Sequence, residues 1–126
     1  METDKLKKLL NQFEKAIGRL GNALAQEKNE FIRDSAIQRF EFTYELAWKT
    51  MKPYLEEKGI GSFYTPKDVI RSAYQAGLID NNPEWLDMVD TRNRTSHLYN
   101  EAMAEKVYAL LPKYLPLIEI LVNKLA

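Results

Sequence analysis

The sequence predicts an all-α protein, an antiparallel four- to five-helix up-and-down bundle. Three observations carry that expectation. Apolar residues recur at steps of three and four over most of the 126 residues, the periodicity of helices with one buried stripe. A polar cap followed by proline, a helix-opening signal, occurs twice. No run alternates apolar and polar residues as a half-buried strand would.

The first helix is set by Leu6, Leu9, Leu10, Phe13, Ile17, Leu20 and Leu24. A polar link, Gln26 to Glu30, leads to a second run with Ile37, Phe40, Tyr44, Ala47, Trp48, Met51 and Leu55 on one side. That run stops near Lys58 at Gly59, and Pro53 is expected to kink it or leave a ragged last turn. After "GIGSFYTP", Thr65 reads as an N-cap, with Pro66 at the first helical position and Asp68 in the first turn. The short helix so opened runs to Gly77. "IDNNP" repeats the grammar, with Asn82 as cap and Pro83 next, opening a helix that carries Trp85, Leu86 and Val89. The last run holds Val107, Leu110, Leu111, Tyr114, Leu117, Ile118 and Leu121, and Pro112 and Pro116 are expected to bend or split it. With no linker, repeat or low-complexity tract, residues 1–126 read as one domain.

Composition limits what such a bundle can do. Eighteen Lys+Arg balance eighteen Asp+Glu, so bulk charge draws neither duplex nucleic acid nor an anionic membrane, and an anionic ligand must be met locally. There is no cysteine, which removes thiol chemistry and disulfides. The opening METDKLKKLL has no apolar signal core, and no segment approaches the roughly 20 apolar residues that span a bilayer. A cytoplasmic protein without membrane association is expected, and neither a cofactor nor a metal.

The stretch "TRNRTSHLYN", Thr91 to Asn100, gathers two arginines, an asparagine, hydroxyls and the chain's one histidine. At about 100° per residue, the inward face of Trp85, Leu86 and Val89 continues onto Arg92, Asn93 and Ser96. Polar residues therefore stand where a core stripe should go on. Asp90 and Arg94 are spaced as an outward ion pair. Asn93 and His97 share a face, whereas Arg92 and His97, five apart, diverge by about 140° unless the helix ends between them.

An inward arginine needs a carboxylate. Glu41, one turn from Ile37 and two from Trp48, is aimed along the core edge and is the expected partner of Arg92, while Glu45 lies further out with Lys49 as its partner. The plain reading of the pair is a structural ion bridge, and of His97 a helix C-terminal cation or a satisfied surface histidine. Trp48 and Trp85 read as core. The Gly61-Ser62 turn lacks the Asp-x-Asp pair with which a nucleotidyltransferase holds Mg²⁺.

"RNRTSH" resembles the Arg-Asn-x-x-x-His motif of HEPN domains. The whole chain is similar to one HEPN branch, the nucleotidyltransferase substrate-binding proteins, through "RFEFTYELAWKTMKPYLEEKG", "TPKDVIRSAYQAGLID" and "DTRNRTSHLYNE". The resemblance implies one half of a toxin–antitoxin pair whose other half is a minimal nucleotidyltransferase. It also implies a homodimer in which the arginine and histidine of two protomers form a composite cleft. The implied reaction is metal-independent RNA cleavage, a 2′-hydroxyl attacking the adjacent phosphate to leave a 2′,3′-cyclic end. Arg92 would hold the phosphate, His97 move protons and Asn93 orient His97 or the substrate, with Glu41 and Ser96 in support. Tyr99 matches the tyrosine to which the partner attaches AMP.

Residue chemistry agrees with the resemblance, since a planar bidentate donor suits phosphate and an imidazole titrates near neutrality. Trp85 and Tyr108 are the apolar residues expected near the dimer contact. Zero net charge keeps a second class open, a non-catalytic subunit that binds nucleotide or docks onto the nucleotidyltransferase, because nucleases gripping extended RNA usually carry a basic stripe.

Overall fold

The computed structural model describes residues 4–61, 63–80, 82–97 and 100–126. Five α-helices occupy them: α1 (Asp4–Ala25), α2 (Glu30–Glu57), α3 (Pro66–Gln75), α4 (Asn82–Arg94) and α5 (Glu101–Leu125), with a 3₁₀ turn at Thr95–His97 between the last two. No strand occurs among the described residues, and none of the helices is long and apolar enough to cross a membrane.

Local chemistry sets the helix ends. Asn29 caps α2 by accepting from the Ile32 amide at 2.8 Å, satisfying one of the four orphan donors of a helix start. At the other end Gly59, at φ 73°, lets the Ile60 amide reach back to the Leu55 carbonyl at 3.0 Å. A left-handed glycine supplies that reversal without a Cβ clash. The expected Thr65 cap is present as a full capping box with Asp68, whose carboxyl is held below its ordinary range chiefly by the Tyr64 amide. Asn100 caps α5 through the Met103 amide at 2.9 Å. Asn82 is the first residue of α4 rather than the residue before it.

The internal prolines neither end nor split their helices. α2 passes through Pro53 to Glu57, and α5 passes through both Pro112 and Pro116. Each proline forfeits an intrahelical donor at a cost of roughly 3 kcal/mol. Burial on the same helix offsets it: Leu111, Tyr114, Ile118 and Leu121 of α5 are essentially inaccessible, and each such side chain contributes about 1.5–3 kcal/mol.

Cross-helix contacts fix the directions. Thr43 and Arg39 of α2 donate to the Ala16 and Arg19 carbonyls of α1, at 3.2 and 2.8 Å, so α1 and α2 are antiparallel. Arg33 pairs with Glu105, and Phe40 stacks on Tyr114 with ring centroids 5.7 Å apart, so α2 and α5 run parallel. The core is built from α1, α2 and α5, and α3 and α4 close one side with Val69, Ile70, Ala73, Trp85 and Met88. Trp85 is 1% exposed within its own chain and is therefore core, as its spacing predicts, but not a dimer-contact residue. Trp48 is only half buried, a rim residue rather than core.

Candidate functional site

The buried stripe of α4 is Trp85, Met88, Val89, Thr91 and, in the 3₁₀ turn, Thr95. Two threonines continue it where Arg92, Asn93 and Ser96 were expected. Asn93 and Ser96 are exposed, and Leu86 is half buried. Thr91 can be buried because its hydroxyl lies 2.7 Å from that of Tyr114, which donates to Asp87 Oδ2 at 2.5 Å. A buried hydroxyl with a partner incurs little desolvation penalty. This chain ties α4 to α5. Burial, with the Asp87 hydrogen bond, pushes the Tyr114 phenol well above its ordinary 10.0.

Arg92 lies beside that stripe, its side chain 23% exposed. Nη1 donates to Thr95 Oγ1 at 3.1 Å and to Ser96 Oγ at 3.5 Å, and the Thr95 hydroxyl donates back to the Arg92 carbonyl at 2.6 Å. The tightened turn thus closes around the arginine's own side chain. Across the interface Glu41 Oε2 is 3.6 Å from Nη1, the expected pair, and Glu45 Oε1 is 3.5 Å from Nε. Glu45 is therefore turned to Arg92 rather than to Lys49, and it also accepts from Trp48 Nε1 at 3.2 Å. Lys49 instead stands 5.9 Å from the Trp48 ring centroid.

Two buried polar atoms here lack a hydrogen bond, Arg92 Nε and the Tyr44 hydroxyl. Burial raises the Tyr44 phenol above its ordinary value, the Glu45 and Asp90 charges add to the rise, and Arg92 opposes it. The buried phenol and guanidinium edge are two donors without a hydrogen-bond acceptor in the chain, which a water or an anion would satisfy.

His97 ends the 3₁₀ turn and is exposed. Because the α-helix stops at Arg94, the four-residue spacing of Asn93 and His97 no longer places them on one regular helical face. Asp90 pairs with Lys67 at 3.2 Å, not with Arg94. Tyr99 lies outside the described residues. Thr95, Tyr44 and Glu45 complete the arrangement; spacing marked Tyr44 only as an inward apolar position and Glu45 only as a partner of Lys49, and it did not mark Thr95. The usable signals were a hydroxyl three residues after Arg92 and a second carboxylate four residues after Glu41, on one face of α2. Chemically, the site offers a positioned guanidinium, held in check by two carboxylates, close in sequence to an exposed imidazole.

The helical bundle and its Arg-Asn-x-x-x-His turn together define a HEPN-class domain. Within that class the profile of the family described as nucleotidyltransferase substrate binding protein like matches residues 4–126, and the chain belongs to that family. It is 37% identical, over 91% of its length and 88% of the relative's, to a Haemophilus influenzae protein named "probable ribonuclease HepT". A crystal structure from Thermus thermophilus shares 40% identity at a TM-score of 0.84, covering 90% of this chain and 98% of that one. A Haemophilus influenzae structure described as the substrate-binding domain of a nucleotidyltransferase shares 30% at 0.72, covering 97% of each chain. A tri-AMPylated Shewanella oneidensis HEPN toxin in complex with its MNT antitoxin, 17% identical, has the same fold at a TM-score of 0.79 over 98% of this chain and 97% of that one.

Proposed function

We propose that this chain is the HEPN subunit of a two-component nucleotidyltransferase system and a metal-independent ribonuclease toxin restrained by that partner. The supporting observation is Arg92, a half-buried guanidinium locked by Thr95 and Ser96 at the end of α4, followed by the exposed imidazole of His97. Catalysis then needs a phosphate held by Arg92, whose planar donor pair matches two phosphoryl oxygens and stabilises the charge that grows on them. His97 takes the 2′-hydroxyl proton or returns one to the leaving 5′-oxygen. Two copies of α4 facing across a two-fold axis supply both groups to one cleft, so the active species is a homodimer. Asn93, exposed and one residue from Arg92, orients the substrate or the imidazole.

Tyr99 is the residue to which the nucleotidyltransferase transfers AMP. A phosphodiester that reaches Arg92 would occupy its phosphate-binding group and exclude RNA. Incubation with the partner, ATP and Mg²⁺ should add about 329 Da, one adenylyl group, and Tyr99→Phe should prevent it.

The experiment that tests the nuclease reading uses unmodified protein, RNA and EDTA. Cleavage products with 2′,3′-cyclic ends are expected, and Arg92→Ala and His97→Ala should each abolish them. A second reading, a non-catalytic docking or nucleotide-binding subunit, is favoured by one observation: Glu41 and Glu45 already occupy the guanidinium of Arg92. Intact RNA after incubation with unmodified protein would establish that reading instead.

A further inference from the structure

A second arrangement lies on the face shared by α1 and α2. A groove of about 480 Å³ runs between them. Lys15 and Arg19, one turn apart, border it from α1, and Arg39 and Lys49 border it from α2. Between the α2 cations, Phe42 and Leu46 supply apolar lining, and Phe42 is 58% exposed. Arg39, Phe42, Leu46 and Lys49 follow one another at steps of three, four and three, so they form a single stripe, about 15 Å long at the helical rise.

The charges of this groove are not balanced within the chain. Among the described residues six of the eighteen cations enter ion pairs, and the four groove cations belong to the twelve that do not; they differ from the other eight in facing one groove. Glu45 is the one acidic residue in the lining, and it is engaged by Arg92 and Trp48. Arg39 is held across the helix pair by its bond to the Arg19 carbonyl at 2.8 Å, which fixes one nitrogen and leaves the rest of the fork to a ligand. Pre-ordering of this kind lowers the entropy lost on binding.

We propose that this groove is a nucleoside-phosphate site, with a base against Phe42 and phosphates on the flanking cations. An accessible aromatic ring stacks on any base, and arginines and lysines at both ends meet the phosphates. The ligand is a short single-stranded segment or a free nucleotide, which share this chemistry. An acidic protein segment would satisfy the cations but leave the exposed ring without its planar partner. Neither Arg92 nor His97 lines the groove, and the link between the two sites is Glu45, which borders the groove and pairs with Arg92. Only the groove's use to hold RNA being cut rests on the ribonuclease reading.

The test uses the full chain and two probes: a fluorescent oligothymidylate of about ten nucleotides, within the site sizes of single-strand binders, and ATP. The deoxy strand has no 2′-hydroxyl and so survives any ribonuclease activity. Phe42→Ala should weaken binding by about fivefold to a hundredfold, the usual effect of losing a stacked base. Lys15→Ala combined with Arg19→Ala should flatten the slope of log affinity against log salt by about 1.4, the single-strand value for two phosphates. Both changes fall on exposed side chains, and the Arg39 bond is to a backbone atom, so circular dichroism should be unchanged. Binding of the strand alone assigns the site to RNA, and binding of ATP alone assigns it to free nucleotides. The proposal is overturned if neither probe binds, or if both variants keep wild-type affinity and salt slope. It is overturned equally if the variants lose only self-association or capture of the nucleotidyltransferase, which would make the groove a protein-binding face. A chain that binds the strand but does not cleave RNA removes the ribonuclease reading and leaves this one standing.

Discussion

Arg92 Nε stands 3.5 Å from Glu45 Oε1, yet it is buried without a hydrogen bond. The contact is one of charge rather than of direction, so a phosphate with better geometry can displace it. Neutralising the other carboxylate should make that easier. Glu41→Gln removes the partner of Nη1 without altering the α1–α2 groove, and a half-exposed pair of this kind is worth about 0.2–1 kcal/mol. Affinity for a non-cleavable 2′-deoxy substrate should rise by up to about fivefold, measured by fluorescence anisotropy. Weaker binding would mean that Glu41 positions Arg92 rather than restraining it.

Arg92→Ala and His97→Ala should separate in stability while agreeing in activity. The first leaves Glu41 and Glu45 facing each other's charge, but their side chains are 30% and 35% exposed, so solvent screening holds the cost to about 1 kcal/mol. The second alters an exposed residue and should stay within about 0.5 kcal/mol. Urea unfolding gives both values, and cleavage of RNA should be lost in each.

Alkaline pH should unfold this protein in a particular way. The phenols of Tyr44 and Tyr114 are both raised in the folded chain above their ordinary 10.0. The unfolded chain therefore loses these protons first. Stability is fully present below about pH 10 and falls as pH rises toward the folded values, by about 1.4 kcal/mol per pH unit for each phenol. Denaturant midpoints taken at pH 9 and pH 11 should show the decline, and Tyr114→Phe should halve the slope while costing stability at neutral pH through the stranded Thr91 hydroxyl.

A composite site requires two copies of α4, so sedimentation at micromolar concentration should show a dimer. Trp85 contributes nothing to that contact, being enclosed by its own chain. Tyr108, the other aromatic expected near the contact, is half buried, with Lys28 5.5 Å from its ring centroid. A monomer would weigh against cleavage and toward the docking subunit.

Helices and caps were legible in the sequence because they depend on neighbours along the chain. The stripe Phe13, Ile17, Leu20 and the Thr65–Asp68 box each follow from spacing within one turn or two, and both are present. Charge partners were less legible. Spacing favoured Asp90 with Arg94 and Glu45 with Lys49, but an exposed pair within a helix is worth only a few tenths of a kcal/mol, so whichever cation a neighbouring helix brings within reach decides. Lys67 and Arg92 did so. The inward register of α4 was misplaced for a related reason. Thr91 looks polar in isolation, and only the Tyr114 hydroxyl on another helix makes it a core residue. Glu41 with Arg92 was readable because Ile37 and Trp48 aim that shoulder of α2 at the core edge.

The chain carries one histidine, and it stands exposed at the end of the turn that closes around Arg92. The proposed cleft therefore has a built-in spectroscopic reporter. A proton spectrum contains a single imidazole Cε1–H resonance, which follows the site as a partner is added. In a two-fold symmetric dimer that line remains single. A partner engaging only one of the two subunits would split it, so counting resonances gives the stoichiometry of restraint directly.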